Sequence, residues 1–146
     1  MGSTYSQPNT AGRDHLARVV ARLAPADFSR PAGGPGWTVG GLLAHLAFYD
    51  NRARLLLAKW KKDGVAGSAN DVDLMNESMR PMFNLIPADA AAWLVNETAA
   101  AIDREIDSLA PDFLARVEKD GTAVKLNRGL HRAHHLAQIE KALGLG

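Results

Sequence analysis

Three of the five histidines in this chain lie within five residues, in the segment HRAHHLAQIE at positions 131–140. On an α-helix, residues i and i+4 share a face, so His131 and His135 would project side by side. His135 falls about 40° from His131 on a mostly apolar face, whereas His134 falls about 60° to the other side. Two inward imidazoles one turn apart can bind a metal ion, or they can be core histidines that hydrogen-bond to their neighbours. We expect His134 to face the solvent.

A metal site would need a third ligand, and His45 is the candidate. The segment from Val39 to Lys62 predicts a long helix that Thr38 would cap. Its apolar residues cluster within about 80° on one side of His45, which turns this histidine toward the core: Leu42, Tyr49, Ala53, Leu56 and Trp60. A lone histidine in such a stripe is usually an ordinary core residue.

Together, His45, His131 and His135 would supply three nitrogen ligands and leave a coordination position open, as catalytic metal sites do. Zinc suits three histidines best, and nickel or ferrous iron would also accept them. Arg132 stands where a zinc protease with the HExxH motif would carry its glutamate base, which argues against that class of enzyme.

Composition excludes several other functions. The chain has no cysteine, so a disulfide, a thiolate metal ligand and a cysteine nucleophile are all ruled out. Its 17 Lys and Arg against 16 Asp and Glu give a formal charge of +1, without the basic patch that a nucleic-acid surface needs. The longest apolar run, 39–49, is too short to cross a bilayer, and residues 1–12 lack the apolar core of a signal peptide. We therefore expect a cytoplasmic protein with no membrane and no nucleic-acid partner.

Apolar periodicity predicts a single all-α domain over residues 1–146, with residues 1–10 as a flexible tail. Four long helices joined by short connections favour a four-helix bundle with short extra helices in the connections. The predicted helices cover residues 11–23, 39–62, 87–109 and 124–143, with shorter ones at 71–83 and 111–118. Asp103, Arg104 and Glu105 are expected on a solvated face.

Four residues are candidates for contact with a substrate. Tyr49 lies one turn from His45 and either donates a hydrogen bond to a ligand or packs. Arg52, two turns along, and Arg128, on the inward side near His135, could each pair with an anionic group; alternatively, both are surface arginines. Asn76 lies among methionines and is either an exposed polar residue or part of a cavity wall. Asp50 falls about 140° from His45, which makes it a poor candidate for a general base.

Two segments, GWTVGGLLAHLAFYD (36–50) and HRAHHLAQIEKAL (131–143), resemble the signature helices of the DinB-like superfamily. That superfamily includes bacillithiol-transferase-like proteins and mycothiol-dependent maleylpyruvate isomerases. The resemblance implies a four-helix bundle, often dimeric, with metal ligands at His45, His131 and His135. The segment DVDLMNES (71–78) is similar to one that carries an asparagine near the site in some relatives, and Asn76 matches it. The isomerases usually have a glutamate at the position of His131, where this chain departs from their pattern.

These observations predict a divalent-metal enzyme that uses a low-molecular-weight thiol as cosubstrate. Since the chain has no cysteine, the thiol must come from outside; the reaction would be S-transfer to a small electrophile, or isomerisation. Two alternatives stay open. One is a metal-dependent hydrolase that activates water. The other is a non-catalytic homodimer that binds a metal or a small ligand.

Overall fold

A computed structural model describes residues 3–145 of the chain, and within that range the protein has helices but no strands. A 3-10 helix, Pro25–Ser29, lies between the first two α-helices. The prediction of an all-α protein is confirmed. The α-helices are α1 (Ser6–Ala21), α2 (Val39–Asp63), α3 (Val72–Asn84), α4 (Ala88–Asp107), α5 (Pro111–Asp120) and α6 (Arg128–Leu143).

The four long helices α1, α2, α4 and α6 pack as a bundle, and α3 and α5 lie in its connections. α2 is central: it contacts α4 most extensively and also packs against α3 and α6, while α1 packs against α4 and α6. The bundle core has two groups of buried apolar residues, one around Leu16, Leu43 and Leu136 and the other around Leu57 and Ile102. This architecture confirms the predicted helical bundle.

The N-terminus of α2 is fixed by a side-chain cap and a close helix contact. The Thr38 hydroxyl oxygen accepts a hydrogen bond from the Gly41 backbone amide over 3.0 Å, as the sequence predicted. A Cβ at Gly41 would collide with the side-chain amide oxygen of Asn84 at the end of α3, so a larger residue there would displace the Asn84 side chain. The cap and this contact set the register of α2, and the register directs His45 into the bundle.

The prediction of a tail over residues 1–10 is wrong for its last five residues, because α1 begins at Ser6. Asn9 explains the difference. Its side chain is buried; Nδ2 donates to the Leu126 carbonyl over 2.9 Å, and Oδ1 accepts from the Arg128 and Gly129 amides over 2.7 and 3.2 Å. Asn9 on α1 thus caps the N-terminus of α6. That last helix begins at Arg128, four residues later than predicted.

Over residues 3–145, none of the helices has both the length and the apolar character that crossing a membrane requires.

Candidate functional site

The structure brings His45 of α2 together with His131 and His135 of α6. One ligand atom from each of the three rings lies within 4.8 Å of the others. The Nε2 atoms of His45 and His131 are 3.1 Å apart. His134 is exposed, as predicted, although it borders the same cavity. The three residues selected by helical periodicity therefore converge on one point.

The three histidines are held in the neutral form. Burial, followed by the neighbouring His135 and His134, lowers the pKa of His45 to about 4. Burial also lowers the pKa of His131 to about 2, with His135, His45 and Arg128 adding to the effect. The pKa of His135 is lowered too, chiefly by burial. Neutral imidazole is the form that offers a lone pair to a metal ion.

Gln138 orients His135 from the same helix. Its amide Oε1 lies 2.7 Å from His135 Nδ1 and accepts the proton of that nitrogen, which leaves the Nε2 lone pair for the cluster. A hydrogen-bond acceptor behind the distal nitrogen is a regular feature of histidine metal ligands. Gln138 was not among the residues predicted from the sequence, although its position three residues after His135 places the two side chains on adjacent parts of the helix surface.

The donor set, and the spacing of the His45–His131 pair within it, fit a divalent ion. Imidazole nitrogens lie about 2.0–2.1 Å from zinc, so two of them would be about 3.4 Å apart in a tetrahedral site and about 2.9 Å apart at a right angle. The observed 3.1 Å between His45 Nε2 and His131 Nε2 falls between these values. Two neutral imidazole nitrogens at this distance need either a shared proton or a shared cation between their lone pairs.

Beneath the histidines, buried ion pairs fasten α6 to α2 and α4. Arg132 is fully buried, and its guanidinium donates to both Asp103 oxygens over 2.9 and 3.0 Å and to Asp50 Oδ2 over 3.3 Å. The expectation that Asp103 faces solvent is therefore wrong; this carboxylate is 2% exposed because it pairs with Arg132 and Arg13. Asp50, rejected as a base from sequence, holds Arg132 and Arg128 instead.

The histidines lie in the wall of a cavity of about 1290 Å³ that α2, α3, α6 and the connection before α6 enclose. All four predicted substrate residues border this cavity: Tyr49, Arg52, Asn76 and Arg128. The Tyr49 hydroxyl donates to Asn76 Oδ1 over 3.0 Å, and the Tyr49 ring centroid lies 5.0 Å from that of His45. Asn76 is thus a cavity residue and not a freely exposed one.

The two arginines differ in their environments. Arg128 is 5% exposed, so the alternative of a surface arginine is wrong for it. Its Nε donates to Asp50 Oδ1 over 2.9 Å and its Nη1 to the Lys125 carbonyl over 3.2 Å, whereas its buried Nη2 has no hydrogen-bond partner among residues 3–145. Arg52 is half-buried, and its Nη2 donates to the Ser68 hydroxyl over 3.0 Å.

Comparison with known proteins places the chain in a family. No match was found among curated proteins or among solved structures. Residues 10–136 match the family described as the mycothiol maleylpyruvate isomerase N-terminal domain. Because this match covers most of the chain, including all three histidines of the cluster, the protein belongs to that family and thereby to the DinB-like superfamily.

Proposed function

We propose that this protein is a divalent-metal-dependent enzyme that joins a low-molecular-weight thiol to a small electrophile. The observation that carries the proposal is the group of three neutral histidines, whose ligand atoms lie within 4.8 Å of one another in the wall of a large cavity. A divalent ion held by His45, His131 and His135 would lower the pKa of an added thiol and keep it as a thiolate at neutral pH. Zinc or nickel is the expected ion, with iron as the next candidate.

The residues around the histidines have separate tasks in this proposal. His135 carries its proton on Nδ1, which donates a hydrogen bond to Gln138 Oε1, and its Nε2 faces the cavity. Tyr49 lies one helical turn after His45 and is hydrogen-bonded to Asn76 of α3, and the two would orient the electrophile through their polar groups. The cavity exceeds the usual 300–1,000 Å³ or so of a small-ligand site, so a thiol and an acceptor fit together.

The chemistry requires a thiol from outside, because the chain has no cysteine. In S-transfer to an activated double bond, a bond forms between the thiol sulfur and the electrophilic carbon, the π bond breaks, and the neighbouring carbon takes up a proton in place of the one that the thiol releases. At a saturated carbon, the leaving group departs with its bonding electrons and the thiol proton goes to solvent. Isomerisation would use the same bond transiently, because the sulfur would leave again after rotation about the carbon–carbon bond. The family's link to mycothiol supports a thiol cosubstrate. A homodimer and a cytoplasmic location remain predictions.

Hydrolysis fits the site less well. A hydrolase would need a carboxylate base beside the metal ligands. The Asp50 carboxylate is buried nearby, but it accepts hydrogen bonds from Arg128 and Arg132. Those contacts engage Asp50 in holding α6 and not in activating water.

The test is to measure the metal content of protein purified without an affinity tag or chelator, for wild type, His131→Ala and His134→Ala. We expect close to one divalent ion per wild-type chain, almost none in His131→Ala, and wild-type content in His134→Ala, because His134 is exposed and outside the ligand group. Thermal unfolding of each variant checks that the fold is kept.

Thiol consumption with an electrophile then tests catalysis. We expect the loaded wild type and His134→Ala to accelerate conjugation, and His131→Ala to give the uncatalysed rate. Equal metal content in the wild type and His131→Ala would refute the metal site. A loaded protein that consumes no thiol would refute the transferase and leave a metal-binding protein.

A further inference from the structure

One half-buried cation in the cavity lacks a counterion. Arg52 follows His45 by seven residues, so both lie on the face of α2 that borders the cavity. The single hydrogen bond of its guanidinium to residues 3–145 is the one from Nη2 to the Ser68 hydroxyl, over 3.0 Å. Within the same part of the chain, no carboxylate lies within ion-pair distance of it. The buried Arg128 and Arg132, in contrast, are both paired.

The free hydrogen-bonding capacity of Arg52 is large. A guanidinium has five N–H donors in a planar fork that matches a carboxylate, and Arg52 uses only one of them. Partial burial of a charge without a counterion is unfavourable, so an anion that reaches Arg52 would be bound more tightly there than at an exposed arginine.

A second donor faces the same region from α3. Asn76 Oδ1 accepts from the Tyr49 hydroxyl, which directs the amide nitrogen of Asn76 away from that contact. This Nδ2 makes no hydrogen bond to any residue from 3 to 145. The positive charge of Arg52 acts on Tyr49 as well: burial raises the pKa of the Tyr49 hydroxyl, and Arg52 opposes that rise. The three side chains therefore form one polar region of the cavity wall.

The acidic residues of the cavity wall do not neutralise this region. Glu77 pairs with Arg80, and Glu118 accepts from the Tyr5 hydroxyl over 2.6 Å. Asp73, three residues before Asn76 on α3, is exposed, so that solvent and salt screen its charge. This end of the cavity thus favours a negatively charged group.

We propose that Arg52 of α2 and the Asn76 amide of α3 form a subsite for a carboxylate group of the ligand. Seven residues of α-helix correspond to about 10 Å along the axis of α2. Arg52 therefore lies beyond Tyr49 along α2, and the carboxylate would be held on the side of the cavity toward the C-terminus of α2. The inference rests on the proposed function only for what occupies the histidine end, because the carboxylate contacts need no metal.

Binding to chelator-treated protein tests the subsite directly, with hexanoate and its neutral counterpart 1-hexanol as probes. We expect Arg52→Gln to weaken hexanoate binding about 10-fold or more and to leave 1-hexanol binding unchanged, because only hexanoate carries a charge that can pair with Arg52. Arg54→Gln is the matched control, since Arg54 bonds to Asn51 and does not border the cavity. Arg52→Lys should recover part of the loss.

Asn76→Ala, which removes the second donor from a different helix, should weaken hexanoate binding in the same direction but by less. Chemical-shift titration gives both the affinity and the location of the probe. The subsite is refuted if hexanoate does not saturate the wild type, if Arg52→Gln binds it as tightly, or if hexanoate and 1-hexanol lose affinity equally. Saturable binding without thiol turnover would refute the proposed function and leave the subsite standing.

Turnover by the metal-loaded protein identifies which substrate carries the carboxylate. A thiol with the anion is compared with a neutral one, 8-mercaptooctanoate with 8-mercaptooctan-1-ol. An electrophile with the anion is compared in the same way, 6-acrylamidohexanoate with N-hexylacrylamide. Arg52→Gln should lower kcat/KM selectively for the charged member of one pair, and equal effects within both pairs would contradict the proposal.

Discussion

At the scale of single residues, the histidine cluster brings three titratable side chains together at a cost in solvation. Burying three imidazoles side by side disfavours their charged forms, and the lowered pKa values of His45 and His131 reflect that. Perturbed titratable groups in a cavity are typical of functional sites. Gln138 adds a contact that has a clear role only if the opposite nitrogen of His135 is used.

Gln138 should therefore tune metal affinity. Replacing it with leucine removes the acceptor for the His135 Nδ1 proton, and we expect metal affinity to fall about 10- to 100-fold. Gln138→Glu keeps an acceptor and should bind at least as tightly as the wild type. Competition with a chromogenic chelator measures both variants. Wild-type affinity in Gln138→Leu would show that His135 is oriented by packing alone.

The sequence was sufficient to find the three histidines that cluster in the structure, but not the charge pairs. Helical periodicity selects His131 and His135 because they share one face, and it selects His45 because that residue lies within an apolar stripe. Helical periodicity also placed Asp103 in contact with solvent, because it assigns every charged residue to the polar, outward face of a helix. The Asp103 carboxylate can be buried because it pairs with Arg132, which lies on a different helix and is not visible in the local sequence pattern.

At the scale of elements, the crossing of α1 and α6 sets the position of the histidine pair. Gly129 lies in the first turn of α6, two residues before His131. A Cβ built on it would lie 2.7 Å from the Pro8 carbonyl oxygen of α1. Asn9, next to Pro8, caps α6. Contacts between residues so far apart in sequence cannot be seen in local patterns, which is why both helix starts were misplaced.

Gly129→Ala tests this crossing. The added methyl group must push α1 and α6 apart, and we expect a loss of about 1–3 kcal/mol of unfolding free energy. Metal affinity should fall as well, because the shift moves His131. Gly67→Ala is the control, since a Cβ there meets nothing. Urea unfolding and metal titration give the two quantities, and a stable variant with normal affinity would show that the helices adjust without consequence.

At the scale of the whole molecule, one ion-pair network joins the four long helices. Asp103 of α4 pairs with Arg13 of α1 and Arg132 of α6, and Arg132 also reaches Asp50 of α2. The helical bundle itself was predictable from the spacing of apolar residues. The cavity was not, because its walls depend on how the connections before α3 and α6 fold back onto the bundle.

Breaking this network should destabilise the protein far more than breaking a surface pair. Asp103→Ala leaves two arginines without one of their partners, and we expect a loss of about 3–5 kcal/mol. Lys59→Ala, which removes an exposed pair with Asp63, should cost less than about 0.5 kcal/mol. Urea unfolding compares the two. Similar small losses in both variants would mean that water replaces the missing carboxylate.

The separation of the histidines along the chain has a further consequence. His45 and His131 are 86 residues apart, so an ion shared between them would be a cross-link that closes a long loop. In a chain without cysteine, this would restrict the unfolded state as a disulfide does, an effect of about 4.5 kcal/mol for loops near this length. A chain with the ion bound would then be both competent for catalysis and resistant to proteolysis, and a chain without the ion would be neither. Proteolysis in the cell would therefore remove mainly the inactive copies.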